Sequence, residues 1–262
     1  MLKLLKYEWK ACARTCLPLY GVLILMSLIS RILYVIPKNA SLDFMLPAIS
    51  SMLYMGVMMA AFVVTAVILI QRFYKNLLGS EGYLMFTLPV TVSQHLLSKT
   101  IIAVVMIGLS GLSALISIGI FADMSFGALF VDMIKGVARS GGLLFGLELL
   151  VLAVLGIAGM ALFLYMCIAL GHLASRHRLL MSIVWYVVLS TALQVLLLMV
   201  MMGVGNAVPQ PFVDWMKVWW SGITPIGAAH LMLRFCCVFT LLSDAVYFLV
   251  TRWILVHKLN LE

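Results

Sequence analysis

Charge is scarce in this sequence. Only 10% of its 262 residues are Asp, Glu, Lys or Arg, 65% are hydrophobic, and the mean hydropathy is +1.19. Soluble domains carry about 25% charged and below about 50% apolar residues, so the composition excludes a water-soluble fold and points to an integral membrane protein. No polar connection is long enough to form a soluble domain of its own. Nucleotide and zinc motifs are missing too: there is no GxxxxGKS/T loop, no HExxH and no CxxC, which removes the usual routes to phosphate cradling, zinc hydrolysis and dithiol chemistry. Cysteine is sparse. Cys12, Cys16, Cys167, Cys236 and Cys237 fall in or beside apolar runs, so no disulfide framework is expected and the thiols read as small buried apolar groups.

What is present is a series of long apolar runs. A spanning helix needs about 20 predominantly apolar residues. Six runs qualify: Leu17–Val35, Met45–Ile70, Thr100–Phe121, Leu143–Leu170, Leu180–Val204 and Leu231–Val250. They are continuously apolar and do not alternate as barrel strands do, so the expected fold is all-α, a polytopic bundle of six transmembrane helices forming one domain over 1–262.

The formal charge of +8 would suggest nucleic acid as a partner in a soluble protein. In a membrane protein the basic residues act as topology signals, and no nucleic-acid role is inferred. With the N-terminus inside, eleven basic residues (Lys3, Lys6, Lys10, Arg14, Arg72, Lys75, Lys99, Arg176, Arg178, Arg252 and Lys258) lie on the inner side. Six (Arg31, Lys38, Lys135, Arg139, Lys217 and Arg234) lie on the outer side, so both termini are expected in the cytoplasm. Met1–Thr15 spaces its four basic residues helically and reads as an amphipathic helix on the inner leaflet, with Pro18 in the first turn of the first span. The apolar run after it is too long for a signal peptide.

The segment Gln71–Lys99 is the longest polar-containing connection on the inner side, yet it carries Phe73, Tyr74, Leu77, Leu78, Tyr83, Leu84, Met85 and Phe86. So much apolar surface must be covered by something. Gly79 and Gly82 interrupt helix, which predicts a short helix over Phe73–Leu78, a second apolar piece over Glu81–Leu88 ending at Pro89, and a cap at Thr91 or Ser93 for the next helix. This stretch, FYKNLLGSEGYLMFTLPVTVSQHLLSK, with its EGYLMFTLPV core followed by a Ser and a Lys, resembles the coupling segment of permease subunits in ATP-binding cassette (ABC) transporters of the second exporter class. The basic N-terminal helix, the six spans and the KLNLE end agree with that family, although only the loop is specific.

The resemblance implies a permease that pairs with a second copy or a homologue and exports a substrate across a cell membrane, that of a bacterium. It also implies that a separate cytoplasmic ABC ATPase, carrying ATP and Mg, docks on the loop. Tyr83, Leu84, Met85 and Phe86 would be the anchors, Lys75 and Glu81 the polar contacts, and Phe73, Leu77 and Leu78 the rest of the apolar surface. The chain itself would bind no cofactor or metal and would not be an enzyme. A membrane assembly factor that binds a soluble protein through the same loop is a rival expectation.

Three further features call for a reading. Gly108-Leu109-Ser110-Gly111 has the form of the intramembrane nucleophile motif of rhomboid proteases, which would make Ser110 a nucleophile if a histidine on another span took its proton. Small residues that let helices approach closely explain it more simply, as they do the Gly142–Gly146 pair. Glu148 and Arg234 lie at similar depth near the outer leaflet, where they can pair or each face a water-filled path. Asp244 lies nearer the middle of the sixth span; a carboxylate there costs about 2.5–3.5 kcal/mol and should face the bundle interior or water.

Overall fold

The computed structural model describes residues 2–35, 45–78, 90–122, 142–174, 177–207 and 224–257, with positions 131, 135, 136, 211 and 222 besides. Its elements are α1 (Leu2–Val35), α2 (Met45–Phe73) continued by a π-helical turn (Tyr74–Leu78), α3 (Val92–Phe121), α4 (Leu143–His172), α5 (Arg178–Ala207) and α6 (Pro225–His257). Each of the six α-helices is long and apolar enough to cross a membrane, and no strand occurs among the described residues. The protein is an all-α, multi-pass membrane protein. The helices gather into two compact units, Met1–Arg139 and Ser140–Glu262.

In the first unit α1 packs along both α3 and α2. Helices in lipid gain little from hydrophobic burial against one another, so polar groups and close fits set their register. The Tyr20 hydroxyl meets Thr65 Oγ1 at 3.1 Å and donates to the Met106 carbonyl at 3.1 Å, joining all three helices. Tyr54 OH and Ser117 Oγ lie 2.9 Å apart, and Ser30 Oγ donates to the Ser50 carbonyl at 3.1 Å. Each such bond adds about 0.6 kcal/mol in a bilayer. Tyr54 also stacks on Phe121, with ring centroids 5.1 Å apart. Arg31 Nη1 donates at 3.1 Å to the carbonyl of Ile120, in the last turn of α3, where carbonyls lack helical partners.

Two boundaries differ from the sequence expectation. No break separates an interfacial helix from the first span: α1 runs unbroken from Leu2 to Val35 with Pro18 inside it. An interior proline costs about 3 kcal/mol through its missing N–H and ring clash. The packing on either side outweighs it, because Glu8, Cys12, Cys16 and Tyr20 are all buried on one face. The segment starting at Gln71 is not loop from the outset either. The buried face of α2 (Ser50, Tyr54, Ala61, Thr65, Leu69, Phe73) carries on through the π turn to Leu77, so the helical chain persists to Leu78. The start of α3 agrees with expectation: Thr91 is its N-cap residue, and the Thr91 N–H donates to Gln94 Oε1 at 3.3 Å.

In the second unit α4 packs along α6 and α5. Phe163 sits against Tyr186 of α5 at 5.6 Å and Tyr247 of α6 at 5.4 Å between centroids. The close approaches come at glycines other than those expected. A Cβ added at Gly108, Gly111 or Gly142 would meet nothing within 4 Å, so none of these makes a tight helix crossing among the described residues. Gly142 instead holds φ +80° just ahead of α4, a conformation that favours glycine. A Cβ at Gly159 would run into the Asp244 carboxylate, and one at Gly171 into Ser182, backbone included. Apart from positions 131, 135, 136, 211 and 222, residues 123–141 and 208–223 and the tail after His257 fall outside the described residues.

Gly171→Ala therefore sets a helix-propensity gain of about 1 kcal/mol against overpacking of about 1–3 kcal/mol on backbone that cannot swing aside. We expect a net loss of stability in detergent unfolding, whereas Gly111→Ala is neutral or stabilising. Equal effects of the two substitutions would contradict the crossing at Gly171.

Candidate functional site

The connection between α2 and α3 is anchored by a buried ion cluster. Glu8 is the first acidic residue of the chain and only 7% exposed. Its Oε1 accepts from Lys99 Nζ at 2.8 Å, and its Oε2 lies 3.5 Å from Arg72 Nη1. Lys99 is 4% exposed and also reaches the Arg72 carbonyl at 3.5 Å, where α2 is about to pass into the π turn. Glu8 thus grips the last turn of α2 and the second turn of α3, the two flanks of segment 79–89, from α1. Cys12 lies one turn further along the same buried face of α1. The carboxylate faces two cations, and it is the Lys99 contact that has close geometry.

The coupling residues inferred from the sequence divide into three groups. Phe73 and Leu77 are fully buried and continue the inward face of α2, four residues apart. Lys75, on the π turn, is exposed. Leu78 ends that turn. Glu81, Tyr83, Leu84, Met85 and Phe86 lie outside the described residues.

Ser110 is buried, and its Oγ donates to the Ile107 carbonyl of its own helix at 2.7 Å. Ser113 and Ser117 repeat the pattern toward Ser110 and Ala114, forming a small-residue stripe on the buried face of α3. His95, the described histidine of this unit, is on the same helix fifteen residues earlier, about 22 Å away along the axis. Within the unit nothing described places a base beside the hydroxyl.

In the second unit the structure brings Glu148 and Arg234 together. Arg234 Nε donates to Glu148 Oε1 at 2.8 Å, and His230 Nδ1 lies 2.5 Å from Oε2. His230, one turn before Arg234 on α6, packs edge-on against Phe145 at 5.6 Å. The histidine partner was not read from the sequence, although its i,i+4 spacing to Arg234 placed both on one face. Asp244 is buried, and neither of its carboxylate oxygens has a hydrogen-bond partner among the described residues. All five cysteines are free, and no three potential metal ligands gather among the described residues. No family model, curated protein or solved structure matches the chain.

Two mutational tests follow from the ion clusters. Glu8→Gln leaves Lys99 buried without its counter-charge and should destabilise the protein by about 3–5 kcal/mol, whereas Glu8→Gln with Lys99→Met should recover much of the loss. Additivity of the two substitutions in equilibrium unfolding would dismiss the pair. For the other cluster, Glu148→Gln and Arg234→Gln should couple in a double-mutant cycle, and a cycle that closes to zero would contradict it.

Proposed function

We propose that the chain is the membrane-spanning permease subunit of an ABC transporter, coupling ATP hydrolysis by a separate cytoplasmic ATPase to export. The observation that supports it best is the clamp beneath segment 79–89. A passive connector needs no buried ions at its root. Here Glu8 ties both flanks of an apolar segment to α1, so a displacement of that segment is delivered to three helices at once. Packed elements of this kind respond by moving between discrete arrangements and do not deform gradually, which suits force transmission.

On this reading both termini and segment 79–89 face the cytoplasm of a bacterial cell. Tyr83, Leu84, Met85 and Phe86 enter a groove on the ATPase, Lys75 and Glu81 make polar contacts at its rim, and the permease works with a second copy or a homologue. ATP and Mg belong to the partner. Phe73 and Leu77 act one step inward, as the packed base through which the push reaches α2.

The chain reconstituted with its ATPase should raise ATP turnover. Tyr83→Ala with Phe86→Ala, removing two aromatic anchors, should weaken association by at least about tenfold. Glu8→Gln should leave association intact and reduce the stimulation of turnover, because it loosens the link behind the docking surface. A partner that binds through the loop without any change in ATP hydrolysis would identify an assembly factor and overturn the transporter proposal. Undiminished binding by the double variant would overturn the docking surface.

A further inference from the structure

The second unit has an open groove of about 370 Å³ along α4, α5 and α6, with Asp244 in its lining. That volume lies within the usual range for small-molecule sites. Its chemistry is one-sided. Aromatic faces come from Phe163, Phe239 and Tyr247. Besides the Tyr247 phenol, three aliphatic hydroxyls line it, and each of these three already donates to its own helix: Ser190 to Val187 O at 3.0 Å, Thr240 to Cys236 O at 2.8 Å and Ser243 to Phe239 O at 3.0 Å. With those protons committed, these three hydroxyls do not hydrogen-bond the carboxylate and turn only oxygen lone pairs outward.

Asp244 itself is 8% exposed, and both its oxygens are buried with no hydrogen-bond partner among the described residues. The carboxylate lies in a notch that only glycine leaves open, since a Cβ at Gly159 would collide with Oδ1. No basic residue lines the groove. The nearest described ones on the same helix, Arg252 and Arg234, are about 12 and 15 Å away along the axis. Arg234 is engaged with Glu148. A buried carboxylate, acceptor oxygens and π faces share one preference, a positive charge on an apolar body.

We propose that this groove is a binding site for a hydrophobic organic cation of the amine or quaternary ammonium class, with Asp244 as its counter-ion and Phe163 and Tyr247 as its aromatic walls. The site goes beyond the transporter proposal and does not depend on it. It rests on the second unit alone, and its test uses no ATPase.

The test compares two probes of the same shape, benzyltrimethylammonium and its neutral isostere neopentylbenzene, binding to the full chain in lipid nanodiscs. The cation should bind at least about tenfold more tightly than the isostere. Asp244→Asn should abolish that difference and leave isostere binding unchanged. Met160→Trp, which fills the groove from an exposed lining position while keeping the carboxylate, should weaken both probes. Should Asp244→Asn fail to yield a monodisperse protein, the probe pair on the native chain and Met160→Trp decide the matter. Equal binding of the two probes would mean an apolar groove only. Proton uptake without cation binding would mean a proton site only. Cation binding untouched by Asp244→Asn or by Met160→Trp would place the ligand elsewhere. Each of these three results overturns the proposal.

Discussion

An ion pair sealed from water is the constraint on which the first unit depends. Moving a carboxylate and an ammonium out of water costs several kcal/mol for each ion, and the cost is recovered only when the two are held at close range with further hydrogen bonds. Glu8 and Lys99 meet that condition at 2.8 Å, and the Arg72 carbonyl accepts a second hydrogen bond from the lysine at 3.5 Å. The arrangement has little tolerance for sliding. In lipid, where apolar helices have no strong reason to prefer one register over another, a pair with so little slack fixes where α1 stands relative to α3. Tyr20 and Arg31 then repeat the registration of α1 against α3, and Ser30 sets it against α2, at intervals of about three turns.

Much of this was open to view in the residues. Each of the six apolar runs falls inside one of the six helices, because length and hydropathy alone decide what can span a bilayer, although α1 begins fifteen residues before its run and α3 eight before its own. What averaging over a window conceals is the period inside each run. Glu8, Cys12, Cys16, Tyr20, Leu23, Ser27 and Ser30 recur at intervals of three and four, and all are buried. Ser50, Tyr54, Ala61, Thr65, Leu69, Phe73 and Leu77 do the same on α2 and its π turn, and His95, Lys99, Met106, Ser110, Ser113 and Ser117 on α3, save for one step of seven in each. In a chain this apolar, polar and small residues mark the inward face, the reverse of a soluble helix. Counted as topology charges, Arg72 and Lys99 lost their positional meaning, and Glu8 went unnoticed between lysines. Phe73 and Leu77 carry the same lesson: apolar side chains near a loop look available until the helix is followed one turn further.

The two carboxylates of the second unit show how little a residue type says without its neighbours. Glu148 has a guanidinium and an imidazole within hydrogen-bond distance, and its role is answered locally. Asp244 has aromatic rings, hydroxyls already engaged, and a glycine notch. The pairing of Glu148 with Arg234 could be anticipated from equal depth. The isolation of Asp244 could not, because it arises from which way Ser190, Thr240 and Ser243 direct their protons, and back-bonding to the helix is decided only once the rotamers are fixed.

The π turn over Tyr74–Leu78 has a geometric consequence of its own. A π-helix closes its hydrogen bonds one residue further along than an α-helix, so this turn stores one residue of surplus winding. An α-helix advances about 100° per residue. Retightening the turn to α geometry would swing the chain beyond Leu78 around the axis by roughly that angle, with α2 above Phe73 left as it is. The bearing on which the backbone departs toward Gly79 is thus governed by hydrogen-bond bookkeeping within five residues, a dial set at the foot of the helix.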